Sequence, residues 1–181
     1  YDERMSSLRD VRAEANAILD ELDLSKDDAL VELGSGTGEL AIEASRRCDR
    51  VYALDVSRTM LDYAREKAAL RGAAGIVFVH AGFLGYNHDG PPPAAVVSQL
   101  ALHHLPDFWK LIALTRIHDL LAPGGRFFLR DVVFAVQPAK LSSTIERTIN
   151  RMRESAGEAA ALDYERHVRE EYSTYDWVME E

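Results

Sequence analysis

The sequence predicts an α/β fold: one doubly wound, mostly parallel sheet with helices on both faces. Two observations carry the prediction. Five short apolar runs, "ALVEL", "RVYALD", "GIVFVH", "AAVVS" and "RFFLRD", alternate with segments of helical character, the pattern of strand–helix–strand units whose parallel strands are covered on both sides. The glycine loop from Gly34 to Gly38 follows the first run directly, where an open sheet of this kind receives its ligand. With 181 residues, 47% of them hydrophobic, the chain has material for one core, so residues 1–181 are expected to form a single domain.

Taken in order, residues 1–24 read as an N-terminal helical segment. Met5, Leu8, Val11, Ala15, Ile18, Leu19 and Leu22 recur at spacings of three and four with charges between them, the period of an amphipathic helix. "ALVEL" is the first strand, followed by the glycine loop and a helix carrying Leu40, Ala41 and Ala44 and ending in "ASRRCDR" with Cys48. "RVYALD" is the second strand. Ser57 then fits an N-cap for a helix through Met60, Leu61, Ala64 and Ala68. "GIVFVH" is the third strand, and a loop ending in Pro91, Pro92 and Pro93 leads to "AAVVS", the fourth. A helix from about Asp107 to Leu121 is closed by "APGG", where glycine can take the left-handed conformation, and "RFFLRD" is the fifth strand.

From Pro138 the pattern becomes helical only. Leu141, Ile145, Ile149 and Met152 share a face, Gly157 marks a break, and a second polar helix leads into "EEYSTYDW", where Ser173 with Asp176 fits a capping box. Residues 138–181 are expected to cover the active site, with Tyr172 and Tyr175 as aromatic lid residues that exclude solvent.

Glycines in the loop permit positive φ angles and remove Cβ atoms, so a ligand can lie against bare peptide. A dinucleotide fingerprint counted from Gly34 would place its third glycine at position 39, but Glu39 stands there, putting a carboxylate where a pyrophosphate would lie. No GK[ST] follows, so a P-loop is excluded as well. What remains is Glu32, Gly34, Gly36 and Gly38. Glu32 and Glu39 flank the loop, which suits a cationic or neutral ligand better than a polyphosphate. Asp55, at the carboxyl end of the second strand, can accept hydrogen bonds from both hydroxyls of a ribose.

The ordered set "VELGSGTGEL", "VYALDVS", "VVSQLALHHLPD" and "LLAPGGRFFLRD" resembles the class I S-adenosylmethionine-dependent methyltransferases, in particular the small-molecule group related to ubiquinone and menaquinone biosynthesis methylases. The resemblance runs from about Ala29 to Val133. It implies a Rossmann-like class I fold with S-adenosylmethionine as cofactor: Glu32 and the backbone of Gly34, Ser35, Gly36, Thr37 and Gly38 would hold the methionine part, Asp55 the ribose, and Val56 and Met60 would border the adenine. Many relatives carry an acidic residue after the third strand; this chain has Gly82 and Phe83 there, so adenine is expected against the Phe83 backbone. Ser98, Gln99 and Leu100 occupy the region that closes over the methionine and the transferred methyl. Class I domains normally finish with an antiparallel strand pair, which this sequence lacks.

Methyl transfer from a sulfonium mainly requires alignment and exclusion of water, with a base only if the nucleophile carries a proton. His103 and His104, after the fourth strand, and Asp131, ending the fifth, are the candidate catalytic residues, with His104 slightly favoured. Clustered His and Asp are metal-compatible, but nothing in their spacing demands a metal and none is assigned. His80, His88, His118 and His167 receive no role.

The formal charge of −9 and pI near 5.2, with no basic run, argue against nucleic acid as a partner. The expected partner is a small-molecule methyl acceptor, and a homodimer stays open. No stretch is long and apolar enough for a membrane span, no secretory signal opens the chain, and the lone Cys48 excludes an internal disulfide, so the expected compartment is the cytoplasm. The readings from other classes are a non-catalytic S-adenosylmethionine-binding regulatory domain and an RNA or protein methyltransferase. The latter is disfavoured by the acidic surface and by "SQLA" where an aromatic-proline tetrapeptide would stand.

Overall fold

The structure is a computed structural model that describes residues 10–131 and 138–170. The chain divides into two compact units, one formed by the residues up to Ala101 together with Ile112–Arg130, the other by Leu102–Leu111 together with the chain from Asp131 onward.

The first unit is built on five parallel strands: β1 (Ala29–Leu33), β2 (Arg50–Asp55), β3 (Ile76–His80), β4 (Ala95–Gln99) and β5 (Arg126–Arg130). They lie in the order β3-β2-β1-β4-β5. The chain therefore moves outward from β1 in one direction and returns to its other side with β4, and this reversal opens a crevice beyond the carboxyl ends of β1 and β4. Register places Leu33 beside Leu54 on one neighbour and Ser98 on the other. Glu32, Asp55 and Ser98 thus come to the same end of the sheet from three separate strands. Every residue of β1 is buried, as a central strand covered on both faces requires.

One face of the sheet is covered by α1 (Val11–Leu22) and α2 (Glu39–Ala44). Asp10 caps α1, its side chain accepting the Ala13 N–H at 2.9 Å, and Ala15, Ile18, Leu19 and Leu22 pack with Leu40, Ala41 and Ala44 above Leu30, Val51 and Val97. The expected positions Met5 and Leu8 lie outside the described residues. On the opposite face Val31, Leu33, Leu54 and Val96 pack with Ile117 of α4 (Asp107–Leu120). The remaining helix, α3 (Arg58–Leu70), opens at Ser57, whose hydroxyl accepts the Met60 N–H, the cap expected from the sequence.

Helix α2 is shorter than expected. It stops at Ala44, so Cys48 lies in the turns before β2 and not on a helix. The chain leaves the helix where the Ser45 hydroxyl turns back to donate to the Ile42 carbonyl at 2.8 Å, a local bond that competes with helix continuation. Cys48 is fully buried, and burial pushes its thiol above the usual range, which leaves it inert as a nucleophile.

The second unit contains a single 3₁₀ turn at Leu102–His104, the first turns of α4, and the helices α5 (Pro138–Ala156) and α6 (Glu158–Glu170). Gly157 separates α5 and α6 with a φ of 88°, a conformation that favours glycine. Ile149 of α5 and Ala161 and Val168 of α6 are buried. The capping-box segment beyond residue 170 lies outside the described residues.

Candidate active site

The loop between β1 and α2 is held by backbone bonds to its neighbour strand: Gly34 and Ser35 both donate to the Leu54 carbonyl, at 2.9 and 2.8 Å. Gly34, Gly36 and Gly38 all have positive φ, but they are glycines for different reasons. A Cβ on Gly34 would stand 2.4 Å from the Ala101 Cβ, and one on Gly38 2.9 Å from the Ala64 Cβ. The protein itself fills those two places. A Cβ on Gly36 would meet nothing within 4 Å, so only there does bare peptide face open space, as expected of the whole loop from sequence.

Asp55 ties the loop to the next strand. Its Oδ2 accepts the Gly36 N–H at 2.8 Å and its Oδ1 accepts the Ser57 N–H at 2.8 Å. The carboxylate is thereby fixed between the glycine loop and the start of α3, and each oxygen keeps a second lone pair for a ligand hydroxyl. Thr37 is half-buried beside Gly36.

Glu32 is fully enclosed at the end of β1. Burial pushes its carboxyl up to about 8, partly offset by a hydrogen bond from the Ala41 backbone and reinforced by nearby Asp55. Its Oε2, the Ser35 hydroxyl and the Ser98 hydroxyl are buried with no hydrogen-bond partner among the described residues. An unsatisfied buried polar atom is costly, and Glu32 Oε2 and the Ser35 hydroxyl lie on either side of Gly34, where a polar ligand would satisfy them. The group the resemblance implies, with a charged methionine part and a ribose, fits this set of donors and acceptors.

Glu39 plays a different part from the one its position suggests. It is bound by Lys67 at 2.7 Å and Arg71 at 2.5 Å. Burial would raise its carboxyl, but the two cations outweigh that and hold it below the usual range. It is a neutralised tie between α2 and α3, not a carboxylate offered to a ligand.

At the expected adenine edge, Val56 is 72% exposed and Met60 half-buried. A Cβ on Gly82 would come 2.9 Å from Val56 Cγ1, so this glycine lets the β3 loop approach β2. The Gly82 carbonyl accepts the N–H of Tyr86 at 3.2 Å, turning the chain at Phe83. His80, given no role from sequence, bonds the Val56 carbonyl through Nε2 at 2.9 Å and so helps set this edge. Beyond β4, Gln99 is half-buried and Leu100 takes a left-handed φ of 50°, its N–H donating to the Arg130 carbonyl at 2.8 Å. A branched side chain in that region stores strain.

In the second unit, Asp131 grips His103 twice. Its Oδ2 accepts the His103 backbone N–H at 3.1 Å, and its Oδ1 lies 2.5 Å from the ring Nδ1. A carboxylate only accepts, so Nδ1 carries the proton. Both side chains are almost fully buried. His104 is exposed, its ring tilted at 44° to that of His103 with 4.1 Å between centroids. Tyr172 and Tyr175 lie outside the described residues.

The methyltransferase-domain family model matches residues 30–125. An uncharacterized methyltransferase of Geobacillus kaustophilus is 31% identical over 176 residues, covering 97% of this chain and 75% of the relative. The 27-O-demethylrifamycin SV methyltransferase of Amycolatopsis mediterranei is 29% identical, covering 82% of this chain and 55% of its own. Among solved structures, the YcgJ protein of Bacillus subtilis aligns with a TM-score of 0.65 at 19% identity, over 77% of this chain and 58% of that one. The S-adenosylmethionine-bound amino pentose methyltransferase CalS10 of Micromonospora echinaspora aligns at 0.62 and 23%, over 73% and 55%. The chain thus spans little more than half the length of these solved structures.

Proposed function

Because the chain belongs to the S-adenosylmethionine-dependent methyltransferase family, we propose that it methylates a small-molecule acceptor at an atom that carries a proton. The observation that carries the proposal is the His103–Asp131 pair: a buried imidazole whose tautomer is imposed by a carboxylate is built to take up a proton.

S-adenosylmethionine, when bound, supplies a methyl group on a sulfonium sulfur, and the transfer is a displacement at carbon. The chain's residues do the rest. Glu32 and the peptide at Gly36 hold the methionine part, Asp55 the ribose, and Val56, Met60 and the Gly82–Phe83 turn the adenine. In this proposal the base that takes the acceptor's proton is His103, and Asp131 stabilises the imidazolium that results. In this reading His103, not His104, is the base, since the carboxylate grips His103.

A small acceptor is supported by the net charge of −9, which opposes a polyanionic RNA, and by two relatives whose names specify a rifamycin and an amino pentose. The lone buried Cys48 and the lack of any described helix long and apolar enough to cross a membrane support a cytoplasmic site of action. The test is to incubate the protein with methyl-labelled S-adenosylmethionine and a fractionated extract. Label is expected in the low-molecular-weight fraction; label confined to RNA or protein would reject the small-molecule acceptor.

A further inference from the structure

A second cavity lies on the α4 face of the sheet, entirely within the first unit. It has a volume of about 340 Å³ and is lined by Leu33, Phe83, Tyr86, Ile117 and Leu120 on its apolar side and by Asn87, His88, Arg116 and Asp119 on its polar side. That size is at the lower end of small-molecule sites, which are likewise mostly apolar with a few placed polar groups.

The polar wall is held in place before any ligand arrives. His88 Nε2 lies 2.9 Å from the Pro91 carbonyl, which can only accept, so Nε2 bears the proton and Nδ1 accepts from the Tyr86 hydroxyl at 2.6 Å. Tyr52 meets the His88 ring edge-on, with centroids 4.7 Å apart. Burial pushes the Tyr86 hydroxyl up to about 12, so it stays a donor. Arg116 then ties this loop to α4, one terminal nitrogen donating to the Tyr86 carbonyl at 2.6 Å and to Asn87 Oδ1 at 3.3 Å.

These bonds use one nitrogen of a three-nitrogen guanidinium. Nε and Nη1 of Arg116, and the Nδ2 amide of Asn87, make no hydrogen bond among the described residues. Arg116 is half-buried. Asp119, the one anionic group in the lining, has a side chain 72% exposed and is therefore well solvated. A half-buried cation with unused donors in a planar fork recognises a carboxylate, and the apolar side beside it accommodates a ring.

We propose that this cavity is a binding site for a small aromatic carboxylate, with Arg116 and Asn87 receiving the carboxylate and Phe83, Ile117 and Leu120 enclosing the ring. Leu33, next to Gly34, and Phe83, at the proposed adenine edge, also border the cofactor site, but the cavity does not depend on what the methyl acceptor is.

The experiment is a titration of the isotopically labelled protein with benzoate, followed by the NMR signals of the Asn87 side-chain amide and the Arg116 Nε–H, with benzylamine as the oppositely charged probe. Benzoate is expected to shift both signals saturably in the millimolar range, and benzylamine to leave them unmoved. Arg116→Met should weaken benzoate at least tenfold, the scale of a charge-assisted contact. Asp119→Asn, a surface change that leaves the loop ties intact, should strengthen it about two- to threefold by removing an exposed like charge. The second variant keeps the proposal testable if Arg116→Met loosens the loop. No shift at either signal up to roughly 20 mM benzoate, where even a millimolar site would be saturated, would overturn it. So would tighter binding of benzylamine, or an Asp119→Asn variant that binds benzoate more weakly.

Discussion

Glu32 is the residue whose chemistry the fold alters most. Its ordinary value is 4.5 and burial raises it to about 8, so the protonated form is the one the ligand-free fold prefers. A raised value in the folded state means that its contribution to stability is fully present below about pH 4.5 and is lost as the pH climbs through 8. Thermal unfolding of the ligand-free protein should therefore show a loss that accumulates from about pH 4.5 to about 8, on the order of a few kcal/mol, and that Glu32→Gln abolishes; equal pH dependence in both proteins would contradict this. Ionising Glu32 to receive a cationic ligand must release its proton. Calorimetry at pH 7 in two buffers of different ionisation enthalpy should accordingly detect proton release on cofactor binding, and none in Glu32→Gln. Sequence placed Glu32 at the loop but could not show that three strands would seal it from water. The histidines behave similarly. Both His103 and His104 were visible as candidates beside "LPD", but which one meets Asp131, 28 residues away, is decided only when β4 and β5 pair. His103→Ala and Asp131→Asn should each lower kcat on the order of 10²-fold or more with KM for S-adenosylmethionine nearly unchanged, whereas His104→Ala should stay within about threefold. Equal losses at both histidines would remove the distinction.

At the scale of elements, the β1–α2 loop separates packing from binding. Gly34→Ala places a methyl 2.4 Å from the Ala101 Cβ at a φ of 79°, and should destabilise the fold by roughly 2–4 kcal/mol through combined overpacking and strain. Gly36→Ala meets no neighbour; it should cost only about 1–2 kcal/mol for its φ of 50° yet weaken cofactor binding at least tenfold. Chemical denaturation read beside calorimetry would separate the two, and a Gly36→Ala protein with normal affinity would show that ligand does not reach this peptide. From sequence the three glycines look equivalent, because what distinguishes them is Ala101 and Ala64, supplied by distant segments. The same limit explains α2: Leu40, Ala41 and Ala44 announce a helix, but its early stop depends on Ser45 turning to the Ile42 carbonyl. By contrast, the Ser57 cap and all five strands were legible, since capping residues and apolar runs are local signals.

For the whole molecule, strand order and the position of the crevice follow from the alternation of apolar runs and helices, because right-handed crossovers leave few alternatives. The division into two compact units was not legible, since Leu102–Leu111 is separated in sequence from the helices it is grouped with. Nor was the benzoate-sized cavity, whose lining is drawn from β1, the β3–β4 loop and α4. In this proposal the glycine loop, Asp55 and Glu32 have one cofactor to hold, and the binding of that cofactor is the measurement that decides. Isothermal titration of the full chain with S-adenosylmethionine and its demethylated product should show one site for each, and Asp55→Ala, folded by circular dichroism, should bind at least tenfold more weakly through loss of both the loop tie at Gly36 and the ribose acceptors. Absence of binding to either compound, or an affinity unchanged by Asp55→Ala, would contradict the assignment.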